Sequence, residues 1–200
     1  MIKKRDYVPD REMYRQTLTR LMENDQITTL VAVRLGCELG LTRLEIVNAK
    51  VDDIDVVNKR SLNVRVAKRV RRGNKKVDGK KIPVFKMRTR ELPININLYQ
   101  LLKTYMKGSN IYLLHREKGN QKESFIPRYI NYLYDSNDIS WSPHKSRHYF
   151  KSQVWSWMMK NHQPDRALLQ EFMGHQKDVH DSYGEYSWDY KLEVVDGVFG

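Results

Sequence analysis

The sequence predicts an α+β domain, mainly α-helical, with one small antiparallel β-sheet set into its first half. Three observations predict it. Apolar residues recur at helical spacing through most of the chain. Apolar and polar residues alternate around Leu62, Val64 and Val66, as in a half-buried strand. Gly40, Pro143, Pro164 and Gly174 stand at the edges of periodic segments, where helices start and stop. Two hundred residues, 40% of them hydrophobic, suffice for one domain with a real core.

The elements follow in order. Pro9 and Asp10 open a helix carrying Met13, Tyr14, Leu18, Leu21 and Met22 at helical spacing. Residues 27–39 form a more apolar helix that stops at Gly40. A short helix from Thr42 to Lys50 leads through Asp52-Asp53-Ile54-Asp55 into a turn. Ser61 to Ala67 reads as a half-buried strand, and its partner lies within Ile82 to Ile94, near Pro93. Between them, residues 68–81 are dense in lysine and arginine and contain Gly73 and Gly79, which reads as a long basic hairpin tip. Two or three strands are all the chain supplies. Helices return at Leu98–Met106, at Ile126–Tyr134 and at Pro143–Lys160, the last with Phe150, Val154, Trp157 and Met158 facing inward. Another runs from Pro164 to Phe172 and ends at Gly174. Residues 184–200 read as weakly helical or extended.

Composition narrows the function. The formal net charge is +12, which points to a polyanionic partner, nucleic acid first and an acidic membrane surface second. The single cysteine, Cys37, lies in an apolar run and reads as a buried small hydrophobe. No apolar run approaches ~20 residues, so no membrane-spanning helix is expected. The charged start, Met-Ile-Lys-Lys-Arg-Asp, lacks the apolar stretch of a signal peptide, so a cytoplasmic, DNA-associated protein is expected.

The residues with chemical potential cluster late. His144 and Arg147 are three apart and share a helix face. An arginine offers a bidentate fork to phosphate oxygens, and a histidine moves protons near neutral pH. His144 and His148 also have the i, i+4 spacing of zinc ligands, but Lys145 stands where a zinc protease has its glutamate and no third ligand follows, so no metal is expected. His175 follows Gly174 at a helix end, where it serves either as a cap or as a second histidine for the site. Tyr183 lies eight residues beyond His175 and Tyr186 eleven. A tyrosine hydroxyl, with a pKa of about 10, becomes a nucleophile only in a cationic pocket or beside a base.

In this order, Pro143-His144-Lys145-Ser146-Arg147-His148, then Met173-Gly174-His175, then Tyr183, the chain resembles the catalytic domain of tyrosine recombinases, the phage integrase family. The resemblance runs from about Tyr7 to Tyr186. It implies the fold of that family over residues 1–183, with 184–200 as a tail exchanged between protomers and the family's N-terminal DNA-binding domain absent. Gly40-Leu41-Thr42-Arg43-Leu44-Glu45 resembles the family's first arginine motif, Gly-Leu-Arg-x-x-Glu. Aligned on Glu45, the arginine site falls at Thr42 and Arg43 lies one position late; Arg43 is the arginine the resemblance selects. Phe85 to Ile94 resembles the segment that carries the family's lysine, giving Lys86, with Lys68 as runner-up. The family's usual interval after Gly-His falls between Tyr183 and Tyr186, nearer Tyr183.

The resemblance implies a site-specific recombinase or integrase acting on double-stranded DNA through a covalent 3′-phosphotyrosine. Tyr183 would attack, Arg43 and Arg147 would hold the phosphate, and His175 would hydrogen-bond it. His144 would be the acid/base on the tyrosine, and Lys86 would protonate the leaving oxygen. No cofactor is implied, because the phosphotyrosine conserves the bond energy. Lys68, Arg69, Arg71, Arg72, Lys75, Lys76 and Arg88 would contact DNA. A homo-tetramer on paired sites is implied, with no membrane partner. The competing readings are a catalytically impaired DNA-binding protein of the same fold, a type IB topoisomerase or resolvase, and a zinc nuclease.

Overall fold

Asp10 starts the first helix, α1 (Arg11–Glu23), by accepting a hydrogen bond from the Met13 N–H at 2.8 Å. The computed structural model describes residues 7–55, 57, 59–77, 80–106, 111–118, 121–124, 127–174 and 186–200; over 66–77, 80–88, 115–118 and 121–124 it describes the backbone. α2 (Ile27–Glu38) is the central helix. Leu30, Val31, Ala32, Val33, Leu35 and Cys37 are all buried, so it is covered on every side, and Cys37 is the buried hydrophobe its setting predicts. α3 (Arg43–Asn48) and a single 3-10 turn (Val51–Asp53) lead into the sheet. α4 (Ile96–Tyr105) is capped by Asn95, and α5 (Pro127–Ser136) follows later. α6 (Pro143–Lys160) has proline in its first turn, α7 (Arg166–Phe172) is capped by Asp165, and α8 (Trp188–Phe199) closes the chain.

α2 and α6 form the heart of the core and touch closely. A Cβ on Gly36 would stand 2.9 Å from the Ser146 Cβ, so only glycine lets α6 come this near. Ser146 also fixes the first turn of α6: its hydroxyl meets the Tyr134 hydroxyl at 2.9 Å and accepts from the Trp141 indole N–H at 3.0 Å, all buried. His144 and Arg147 flank that anchored residue. Phe150, Val154 and Met158 are buried as expected. Trp157 is half-buried instead, with its indole against Gly197 of α8, where a Cβ would lie 2.5 Å from Nε1.

The small antiparallel sheet has the expected number of strands, but they run further than expected. Three antiparallel strands run in the order β1 (Ile54–Asp55), β2 (Ser61–Val77), β3 (Lys80–Pro93). Pairing extends from Ser61↔Pro93 out to Val77↔Lys80, with irregularities between Val66 and Val70 and between Arg71 and Gly73. The described part of residues 68–81, read as a long hairpin tip, is strand backbone. Backbone ladders need no apolar face, and a stretch this basic offers no alternation to read. A second hairpin, β4 (His115–Lys118) with β5 (Gln121–Ser124), was not anticipated; its eight residues are all polar. The C-terminal segment is a regular helix, not a weak or extended one. α8 buries Val194, Val195 and Val198, and Asp196 pairs with Arg60 at 2.8 Å and accepts from the Ile96 N–H at 3.0 Å. Tertiary packing makes this helix, not its intrinsic propensity.

Candidate active site

Four chain segments meet around one carboxylate, Glu45. α2 ends at Glu38 with Leu39 as its C-cap, and Gly40 takes φ +64, the left-handed conformation that turns the chain into α3. Thr42 then caps α3: its hydroxyl accepts from the Glu45 N–H at 3.3 Å, and Glu45 Oε2 accepts from the Thr42 N–H at 2.8 Å. The same Oε2 accepts from Arg90 Nη2 of β3 at 3.3 Å and lies 3.9 Å from Arg147 Nη1 of α6. The Glu45 and Arg90 side chains are 2% and 6% exposed and that of Arg147 13%, so this is a nearly dry charge cluster. Ala at position 40 would force a left-handed backbone on a Cβ that stands 2.6 Å from the Phe150 ring. Gly40→Ala is expected to lower stability by about 1–3 kcal/mol, measured by denaturant titration.

Arg147 holds two loop ends. It donates from Nη1 to the Gly40 carbonyl and from Nη2 to the Met173 carbonyl, tying the end of α2 to the end of α7. A guanidinium has five N–H donors, and these two carbonyls leave others for a ligand. Burial lowers the Arg147 pKa, and Glu45 opposes that shift. Arg90 is pushed down to about 10 by burial, with Glu45 opposing and the neighbouring Arg147 adding to the fall. Both arginines remain cations at neutral pH. Gly174, at φ +62, follows the end of α7, and a Cβ there would stand 2.6 Å from Arg90 Nη1.

One turn away, His144 and His148 are exposed, with Nε2 atoms 3.0 Å apart and rings edge-to-face. Partial burial lowers the His148 pKa, helped by His144, Lys145, Lys151 and Arg147. Which ring donates across this contact depends on the tautomer, and the contact holds the two imidazoles against each other. Among the described residues, no group of three His, Cys, Asp or Glu side chains could hold a metal ion.

Arg147, His144 and the turn preceding His175 stand together at the ends of α6 and α7. Arg43, expected beside Arg147, is exposed at the first position of α3, and no ion pair joins it to Glu45 among the described residues. Thr42 cannot supply a cation, and its hydroxyl is committed to the cap. The arginine that does share the cluster is Arg90, which belongs to the Phe85–Ile94 segment and carries no assigned role in the sequence reading. His175 and Tyr183 lie outside the described residues, as do the side chains of Lys68, Arg69, Arg71, Arg72, Lys75, Lys76, Lys86 and Arg88. Tyr186 is described. Burial raises its pKa, and so does a hydrogen bond to the Asp165 carboxylate. A phenol held on a carboxylate is a poorer nucleophile than one held on cations.

A model of the phage integrase family matches residues 11–181. No curated protein matches the chain. Solved structures share its fold. The XerA recombinase is 19% identical, with a TM-score of 0.59 over 86% of this chain and 57% of that one. The integrase from mycobacterium phage Brujita is 16% identical, with a TM-score of 0.64 over 96% and 59%. The Tn1549 transposon integrase, in complex with a circular intermediate DNA, is 16% identical, with a TM-score of 0.59 over 92% and 63%. The chain thus spans less than two thirds of the length of each of these proteins.

Proposed function

Because the chain belongs to the phage integrase family, we propose that it is a site-specific recombinase or integrase that cuts and rejoins double-stranded DNA through a covalent 3′-phosphotyrosine. The observation that carries the reading is the convergence of Arg147, Arg90 and the Gly174 turn in a nearly dry, cationic cluster around Glu45, with His144 one turn before Arg147 on α6. The Tyr183 oxygen bonds to the scissile phosphorus as the bond from phosphorus to the 5′-oxygen breaks. The tyrosine proton passes to His144, and Lys86 gives a proton to the departing 5′-oxygen. Arg147 holds a non-bridging oxygen with donors that Gly40 and Met173 leave free, and His175 donates to another. Attack by a second 5′-hydroxyl reverses the step. The carboxylate bonded to Tyr186 supports Tyr183 as the nucleophile.

The basic run Lys68, Arg69, Arg71, Arg72, Lys75, Lys76 and Arg88 lies on a paired two-stranded arm, and we assign it to the duplex backbone. Arg43, exposed at the start of α3, belongs with that contact set. DNA affinity is expected to fall steeply with salt, at about one unit of log–log slope per phosphate neutralised. A flat salt titration would contradict this assignment. The tetramer on paired sites remains part of the proposal, with residues 184–200 exchanged between protomers. Each copy would then receive from its neighbour the contacts that α8 makes here with its own α6. Among the described residues, no helix is long and apolar enough to cross a membrane. Solved relatives from a phage and a transposon support a place on a mobile element.

A second reading has one observation in its favour: Thr42 carries no charge and Arg43 faces solvent, which fits a DNA-binding protein of this fold with impaired catalysis. Products separate the possibilities. Recombinants and Holliday junctions support the recombinase, relaxed circles a topoisomerase, closed hairpin ends a resolvase, and binding without cleavage the impaired protein.

A further inference from the structure

Arg90 has an unusual balance sheet. Its Nη2 reaches Glu45, but Nε and Nη1 are buried without a hydrogen-bond acceptor among the described residues. Buried donors in folded proteins are nearly always paired, so two orphans on one side chain call for a reason. The charge count shows the same surplus. Arg90 and Arg147 are two guanidiniums facing one carboxylate, Glu45, so the cluster carries a net positive charge in a nearly dry setting. Nη1 points at the Gly174 turn, which ties Arg90 to the end of α7 that Arg147 also holds through Met173.

We propose that Arg90 is the second phosphate-binding arginine of the site, giving its unpaired Nε–H and Nη1–H to a non-bridging oxygen of the scissile phosphate beside Arg147, in the role that Thr42 cannot fill. The proposal rests on the recombinase reading for the identity of the phosphate, but the oxyanion site itself stands on the geometry of the cluster. A strand arginine donates to the same Glu45 oxygen that accepts from the Thr42 N–H. The capping box on α3 stays intact while the cation comes from elsewhere. The alternative role is a structural strut that merely neutralises Glu45. The two roles predict opposite effects on stability. Removing a strut weakens the fold. Removing Arg90 as a ligand-binding cation leaves Arg147 and Glu45 balanced one to one, so Arg90→Met should fold as stably as the parent or more so.

The test compares parent and Arg90→Met in two ways. Without DNA, inorganic phosphate is titrated against sodium chloride of equal ionic strength while the thermal midpoint is followed. The parent midpoint is expected to rise saturably with phosphate, and that rise is expected to vanish in Arg90→Met. No phosphate-specific rise in the parent, or the same rise in both, overturns the proposal. With DNA, single-turnover adduct formation is measured on a phosphodiester and on an uncharged methylphosphonate at the scissile position. Arg90→Met should slow the phosphodiester reaction by about 10²–10³-fold, and the methylphosphonate, which has no charge to neutralise, much less. Equal slowing on both substrates, or none, overturns the proposal. Failure of the parent to form any adduct, with the Arg90-dependent phosphate effect intact, would sink the recombinase reading alone.

Discussion

Replacing Glu45 with Ala is expected to cost about 3–5 kcal/mol of folding stability, the typical penalty for removing one partner of a buried ion pair. Glu45 is the only carboxylate facing Arg90 and Arg147 among the described residues, and all three side chains are largely withdrawn from water. Its loss leaves two like charges facing each other in low dielectric. Part of the loss has another origin, since Ala also removes the acceptor for the Thr42 N–H and opens the capping box on α3. Glu45→Gln separates the two. The amide oxygen keeps the cap but not the charge, so Gln should lose less than Ala and still fall well below the parent. Inorganic phosphate should restore part of the Gln deficit by supplying the missing anion. Denaturant midpoints with and without phosphate check all of this. A Glu45→Gln protein as stable as the parent would show that the charge balance of the cluster does not matter.

The second large effect is on chemistry. Tyr183→Phe removes one oxygen and is expected to abolish covalent attachment to DNA while leaving binding affinity unchanged, because the phosphate contacts come from other residues. Tyr186→Phe is expected to retain attachment: its hydroxyl is held by Asp165 and its pKa is raised, the wrong direction for an attacking phenolate. Adduct yield on a nicked substrate and affinity by fluorescence titration distinguish the two. Retained adduct in Tyr183→Phe, with loss in Tyr186→Phe, would move the nucleophile three residues on.

Much of this was legible in the sequence, for identifiable reasons. α6 begins and ends where Pro143 and the charged Lys160 place it, because its start signal is local chemistry. α2 was legible from a run too apolar to be anything but central. What escaped were features with no local signal. The basic arm is strand because backbone pairs with backbone, and its composition hides that. The β4–β5 hairpin has no apolar residue to alternate. α8 is fixed by Asp196 meeting Arg60 and the start of α4, contacts that span most of the chain. The site shows the same division. His144 and Arg147 lie on one turn of one helix, so spacing alone brings them together. Arg90 and Glu45 lie 45 residues apart and meet only through the fold. Motif reading led to Arg43, which is exposed at the start of α3, while the buried arginine beside Arg147 comes from β3.

The measurement that tests the central claim most directly is a search for protein covalently joined to DNA. The protein is incubated in EDTA with nicked duplexes carrying candidate sites, quenched with detergent, and the adduct is located by peptide mapping. The account predicts a metal-independent 3′-phosphate adduct on Tyr183. Tight DNA binding with no adduct on any nicked substrate, or cleavage that EDTA abolishes, would contradict it.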